Sequence, residues 1–174
     1  MVQGPYAFRP VTLHDLPLIN GWRDNPHVAQ WWDDDGDYEP DWLDYGRVRQ
    51  WIVSHGDRPF AYIQDYTVHG WEGHYFAHLP LGSRGIDQFI GAPDMMGGGH
   101  GSALIKARLA MLFAEGVPVV ATDPHPDNAR AIKAYQKAGF QIAGPALDSH
   151  WGRILPMTIA AEPQPRANKA ASMI

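Results

Sequence analysis

Residues 85–114 constrain the fold of this chain more than any other stretch. Gly85–Ile90 (GIDQFI) has the length and composition of a short strand. Met96-Gly97-Gly98-Gly99-His100-Gly101 follows, and then Leu104, Ile105, Leu109, Leu112 and Phe113 recur as an apolar stripe. That spacing predicts an amphipathic helix. Four glycines in five residues exceed what a turn needs. Glycine lets a ligand approach the backbone closely, and a helix N-terminus presents free N–H groups at the positive end of its dipole. Strand, glycine turn and helix together predict an anion site of pyrophosphate type. It is not a P-loop, because Ser102-Ala103 stands where Lys-Ser/Thr would follow the last glycine, and the glycines do not have dinucleotide-fold spacing.

The elements around this unit alternate. Tyr6–Arg9 reads as a first strand, and Thr12 with Asp15 as the cap of a helix running to Arg23. Pro26 opens a further turn. A second helix is expected from about Pro40, with Leu43, Val48, Trp51 and Ile52 as its apolar positions. Pro59–His69 reads as a strand, Gly70–Arg84 as a loop and Val117–Thr122 as a buried strand. Asn128 caps a helix that ends at Ala138 with Gly139 beyond it. Phe140–Ala143 and Arg153–Ile159 are expected to pair as final strands. The order is that of an α/β or α+β domain around one mixed sheet, and 174 residues suit a single domain. That domain spans 1–160, and the Pro/Ala-rich residues 161–174 read as a loosely ordered tail.

Several classes are excluded or disfavoured. With no cysteine there is no disulfide, zinc-thiolate or cysteine nucleophile. No apolar run is long enough for a membrane helix, and the N-terminus lacks a signal-peptide pattern, so a cytoplasmic protein with no membrane partner is expected. A net charge of −5 disfavours nucleic acid. That charge is concentrated: Asp33, Asp34, Asp35, Asp37, Glu39, Asp41 and Asp44 outweigh the whole excess, leaving a mildly basic remainder. Trp22, Trp31, Trp32 and Trp42 lie in or near this segment. Acids beside aromatic faces suit an organic cation, and a solvated loop with aromatic anchors is the plainer alternative. His69, Glu72, His74 and His78 match no zinc spacing, and no metal is expected.

A longer pattern begins at Thr122-Asp123-Pro124. It continues through Asn128-Ala129-Arg130-Ala131-Ile132 to Tyr135, Lys137 and Gly139-Phe140. Joined to the glycine turn, it resembles the acetyl-coenzyme A core of the GCN5-related N-acetyltransferases, over about residues 85–141. Met96 departs from the Gln/Arg usual at the first loop position. Trp31-Trp32, Ala61–Tyr66 (AYIQDY), Arg84–Gln88 (RGIDQ) and Thr122-Asp123-Pro124 also resemble the aminoglycoside 6′-N-acetyltransferases, in the same order. A branch that acylates hydroxylysine-type amines in siderophore assembly shares the glycine loop and the Asp-Pro-x-Pro-x-Asn stretch. Asp87 favours the aminoglycoside-like branch, where the siderophore branch carries a histidine-containing strand.

The resemblance implies a central mixed, mostly antiparallel sheet flanked by helices. It also implies direct acetyl transfer from acetyl-coenzyme A to a primary amine through a tetrahedral intermediate, with a small cationic amine as partner and the protein as monomer or homodimer. An alkylammonium must lose a proton before it can attack. Asp87 is the candidate base and a cross-strand polar pair otherwise. Tyr135 would protonate the departing thiolate, and is a core aromatic otherwise. Phe89 and Ile90 lie on the strand whose N–H groups would polarise the thioester. Gly97, Gly98, Gly99, His100, Gly101 and Ser102 would hold the pyrophosphate. Asn128 would meet the pantetheine arm, be a helix cap, or both. Trp32, Gln64, Tyr66, Asp87 and Asp123 are the substrate candidates. Lys106, Arg108, Arg130, Lys133 and Lys137 fall on the two helices beside the cofactor site. A silent acyl-coenzyme A-binding module is the non-enzymatic alternative.

Overall fold

A computed structural model describes residues 5–32, 36–44 and 46–162, with the side chain of Asp44 left out. The acids Asp33, Asp34 and Asp35 and residues 163–174 of the expected tail lie outside it.

The backbone forms a seven-stranded sheet in the order β1-β2-β3-β4-β5-β9-β6. The strands are β1 (Tyr6–Pro10), β2 (Val48–His55), β3 (Arg58–Thr67), β4 (Arg84–Ile90), β5 (Val119–Thr122), β6 (Gln141–Ile142) and β9 (Met157–Ala160). All neighbours are antiparallel except β4 and β5. Helices α1 (Leu16–Arg23) and α2 (Pro26–Ala29) serve one face, and α3 (His100–Ala114) and α4 (Ala129–Ala138) the other. Leu104, Ile105 and Leu112 of α3 are fully buried against Ile63, Ile86 and Val120 of the sheet. Ile19 and Trp22 of α1 pack with Ile52, Tyr62 and Phe89 on the opposite face. The mixed, mostly antiparallel sheet with flanking helices is the expected architecture.

Three expectations are corrected. No helix runs from Pro40 to Ile52. A 3₁₀ turn covers Pro40–Asp44, and Val48, Trp51 and Ile52 belong to β2, antiparallel to β3. Ile52 and Val53 are both fully buried because helices cover both faces of the sheet. The strand therefore lacks the alternation that marks a half-exposed one, and its apolar residues mimic a helical spacing. The stretch Arg153–Ile159 is not one strand. Residues 147–154 form a separate hairpin of β7 (Leu147–Ser149) and β8 (Gly152–Ile154), and only β9 pairs with β6. Finally, Arg108 is not beside the cofactor loop. It is fully buried, with Nη2 2.6 Å from Asp65 Oδ2 and its guanidinium 4.4 Å from the Trp51 ring centroid.

Asp65 is the hub of that buried cluster. Arg49, Arg84 and Arg108 all bond its carboxylate, and Trp51 Nε1 donates to it at 3.0 Å. Burial alone would raise its pKa, but the three guanidiniums outweigh it and hold the carboxyl below its ordinary value. The cluster ties β2, β3, β4 and α3 together.

Candidate active site

Strands β4 and β5 begin as parallel partners and then separate. Their ladder stops after Arg84–Val120 and Gly85–Ala121, while β4 runs on to Ile90. Its far end is pinned to α2, where His27 Nε2 lies 2.8 Å from the Ile90 carbonyl and Asn25 donates to that of Gly91 at 3.0 Å. Beside this gap, α3 starts from the glycine turn. Gly97 and Gly99 have φ of 79° and 82°, the left-handed region that glycine adopts without strain. A Cβ at either would meet nothing within 4 Å, so the turn is open to a ligand. Arg130, in the first turn of α4, places Nη1 3.6 Å from Met96 Sδ at the rim of this loop. A cation therefore reaches the loop from α4, although Met96 replaces the loop's own Gln/Arg. The His100 ring bridges the loop and the sheet: Nδ1 lies 2.8 Å from the Tyr6 hydroxyl, the ring packs on His55 and Phe60, and its Cδ2 would sit 3.2 Å from a Cβ on Gly98.

A cleft of about 1220 Å³ opens on the α1/α2 face of the gap. Trp32, Gln64, Tyr66, Asp87, Asp123, Asn128 and Tyr135 all line it. Phe89, Ile90, the glycines, His100 and Ser102 do not, and the Phe89 side chain is buried among Trp22, Trp32 and Tyr62. In register, Gln64 stands opposite Asp87 and Tyr66 opposite Gly85. The Tyr66 ring lies so close over Gly85 that a Cβ there would sit 2.1 Å from Cζ, which explains a glycine at that strand position. Asn128 accepts from the Ala131 N–H at 3.1 Å while lining the cleft, so it is both cap and candidate ligand.

Two carboxyls meet at the floor. Gln64 Nε2 donates to Asp87 Oδ2 at 2.9 Å, its amide oriented by Tyr62, whose hydroxyl donates to Gln64 Oε1 at 2.8 Å. Asp123, just past β5, lines the cleft beside Asp87, close enough for their charges to interact. No lysine or arginine lines the cleft among the described residues. Burial raises the pKa of Asp87, as does Asp123 beside it, and burial raises that of Asp123. From the opposite face the buried Tyr135 of α4 lines the cleft. Burial and then the charge of Asp87 raise its pKa, so it stays protonated as an acid must.

Sequence reasoning missed the rest of the cleft. Trp71, His74 and Tyr75 come from the 68–83 loop, and His150 and Trp151 from the tip of the β7–β8 hairpin. Their periodicity carries no signal, because their positions are set by two long-range dockings. The loop's three histidines bond its backbone. His69 reaches the Leu79 carbonyl, His78 the Tyr75 carbonyl, and His74 accepts from the Phe76 N–H. From the acidic segment, Asp37, Glu39 and Asp41 line the cleft with Trp31, Trp32 and Trp42. Trp32 Nε1 donates to the Tyr38 hydroxyl at 2.7 Å, and Tyr38 stacks on Trp42 at 3.8 Å. The described part of the segment is thus an anchored wall of the cleft.

This splayed pair of strands over a glycine-capped helix is an acyltransferase architecture. The chain belongs to the GNAT family: the model of the "Acetyltransferase (GNAT) domain" matches residues 12–146. The aminoglycoside N(6′)-acetyltransferase type 1 of Klebsiella pneumoniae is 33% identical over 150 residues, covering 79% of this chain and 75% of that protein. A solved structure of AAC(6′)-Ib with paromomycin and acetyl-coenzyme A superposes with a TM-score of 0.81. It is 31% identical, covering 89% of this chain and 93% of that one. Spermidine N-acetyltransferase from Vibrio cholerae, at 17% identity and a TM-score of 0.71 over 91% and 96% of the two chains, shares the fold. Among the described residues no helix is long and apolar enough to cross a membrane.

Proposed function

We propose that this protein moves acetyl from acetyl-coenzyme A to a primary amine of a small polycation, aminoglycoside-like or a polyamine. The observation that carries the reading is a pair of adjacent carboxyls, Asp87 and Asp123, at the β4–β5 gap, in a cleft that no lysine or arginine lines among the described residues. A cationic amine supplies what that pair lacks. Relatives acting on aminoglycosides, over three quarters of their length, support the same class.

The residues fit acetyl-coenzyme A. Gly97–Gly101, Ser102 and Arg130 would hold its pyrophosphate on the N-terminus of α3, and Asn128 its pantetheine arm. Bound there, it supplies the acetyl group as a thioester. On the strand that outruns its partner, successive N–H groups point to opposite edges, and the Ile90 N–H, turned away from β3, would polarise the carbonyl while that of Phe89 serves the β3–β4 ladder. Asp87, oriented by Gln64, takes the proton of the amine, and Tyr135 supplies one to the leaving thiolate. Asp123, Tyr66, Trp32 and the acids of the outer wall hold the remainder of the cation. We place the protein in the cytoplasm with its thioester substrate.

The test is thiol release from acetyl-coenzyme A with a panel of amines. Turnover of kanamycin-like amines or spermidine is expected. Preference for hydroxylysine would favour the siderophore reading, and tight cofactor binding with no turnover of any amine would favour a silent binding module.

A further inference from the structure

Tyr75 belongs to none of the sequence patterns that identify the site, yet its hydroxyl donates directly to Asp123 Oδ2. The ring is held by its own loop and by the hairpin. His74 lies 4.6 Å away, Phe76 4.7 Å and Trp151 6.2 Å between ring centroids. The two carboxyls therefore have different surroundings. Asp123 accepts the O–H of Tyr75, whereas Asp87 accepts an amide N–H from Gln64. Other titratable groups face the pair from every side: Tyr66 from β3, His74 from the loop, Tyr135 from α4, and His125 and His150 on the rim. Among the hydroxyls lining the cleft, that of Tyr75 is bonded to Asp123 and not to Asp87.

Resting on the acetyltransferase reading, we infer that Tyr75 is a positioning residue that keeps Asp123 the ionised member of the pair and leaves the shared proton on Asp87. An O–H donor favours the charged form of the carboxylate it bonds, and the neighbouring carboxyl then holds the proton. The empty site thus presents one negative charge to an incoming ammonium. Arrival of that cation drives the Asp87 proton to water. The freed carboxylate next accepts one proton from the ammonium, leaving a neutral amine and a protonated Asp87, so charge and protons balance.

An infrared titration of the carboxyl C=O band in the full chain tests this, with Asp87→Asn and Asp123→Asn assigning the two groups. Tyr75→Phe is expected to raise the ionisation midpoint of Asp123 by about one pH unit, the size of a hydrogen bond to a charged group. It should also move the acid limb of kcat/KM for a cationic amine upward by the same amount. Trp151→Ala leaves the hydroxyl but loosens the ring, and should shift the midpoint in the same direction by less, which keeps the test open if Tyr75→Phe fails to fold. An unchanged midpoint in the folded variants would overturn the inference. So would an equal shift of the remaining carboxyl when Tyr75→Phe is made in an Asp123→Asn background. The infrared midpoints need no turnover, so a protein that acetylates nothing would refute the enzymatic reading while still deciding the role of Tyr75.

Discussion

Asp87 carries two opposed demands. It must be basic enough to take a proton, and burial beside Asp123 makes it so. That environment also costs stability. A carboxyl whose folded pKa lies above its unfolded value of about 4 stabilises the fold fully below that value, and the contribution is lost as pH rises through the folded pKa. At neutral pH the pair is therefore a burden on the empty protein. Asp87→Asn is expected to lower kcat/KM by about 10²–10⁴-fold with acetyl-coenzyme A affinity retained in calorimetry. The same variant should melt above wild type at pH 8, with the difference shrinking toward pH 4. A variant that melts below wild type at pH 8 would show that the carboxyl is a structural partner.

At the scale of elements, β4, the glycine turn and α3 were legible in order and nearly in boundary, because a glycine cluster and a 3.6-residue stripe are local signals. Strand β2 was not, since Ile52 and Val53 are buried on opposite faces and no alternation marks them. Arg108 looked like a surface cation on a helix near the cofactor, and only the long-range pairing with Asp65 shows it as core. Asp65→Asn should be destabilising by about 3–5 kcal/mol in denaturant unfolding, because it strands buried guanidinium charge. A loss below about 1 kcal/mol would mean that water already solvates the cluster. Gly99→Val should weaken acetyl-coenzyme A binding, since its φ of 82° is strained for a branched residue and the new side chain enters the space left for a ligand. Unchanged affinity in calorimetry would reduce the loop to a turn.

At the scale of the whole molecule, the chain's net charge of −5 is a poor description of its surface. Asp37, Glu39 and Asp41 face the cleft together with Asp87 and Asp123, while the exposed Arg130, Lys133 and Lys137 run along α4, Arg130 reaching the glycine loop. The field is divided between a side suited to a cation and a side suited to an anionic coenzyme. Composition showed the acidic run beside tryptophans, but only the fold shows that part of it walls the site. Asn128, Tyr135, Asp87 and Asp123 were singled out from sequence because they fall in motifs that resemble the family's, and all four line the cleft. Tyr75 and Trp151 were not, because a loop and a hairpin bring them in from far along the chain. The most direct measurement is kcat/KM for a kanamycin-like polyamine against a singly charged alkylamine, each at low and high salt. At least a tenfold preference for the polycation is expected at low salt, narrowing as ionic strength rises. Equal kcat/KM for the two amines with no dependence on salt would contradict the account.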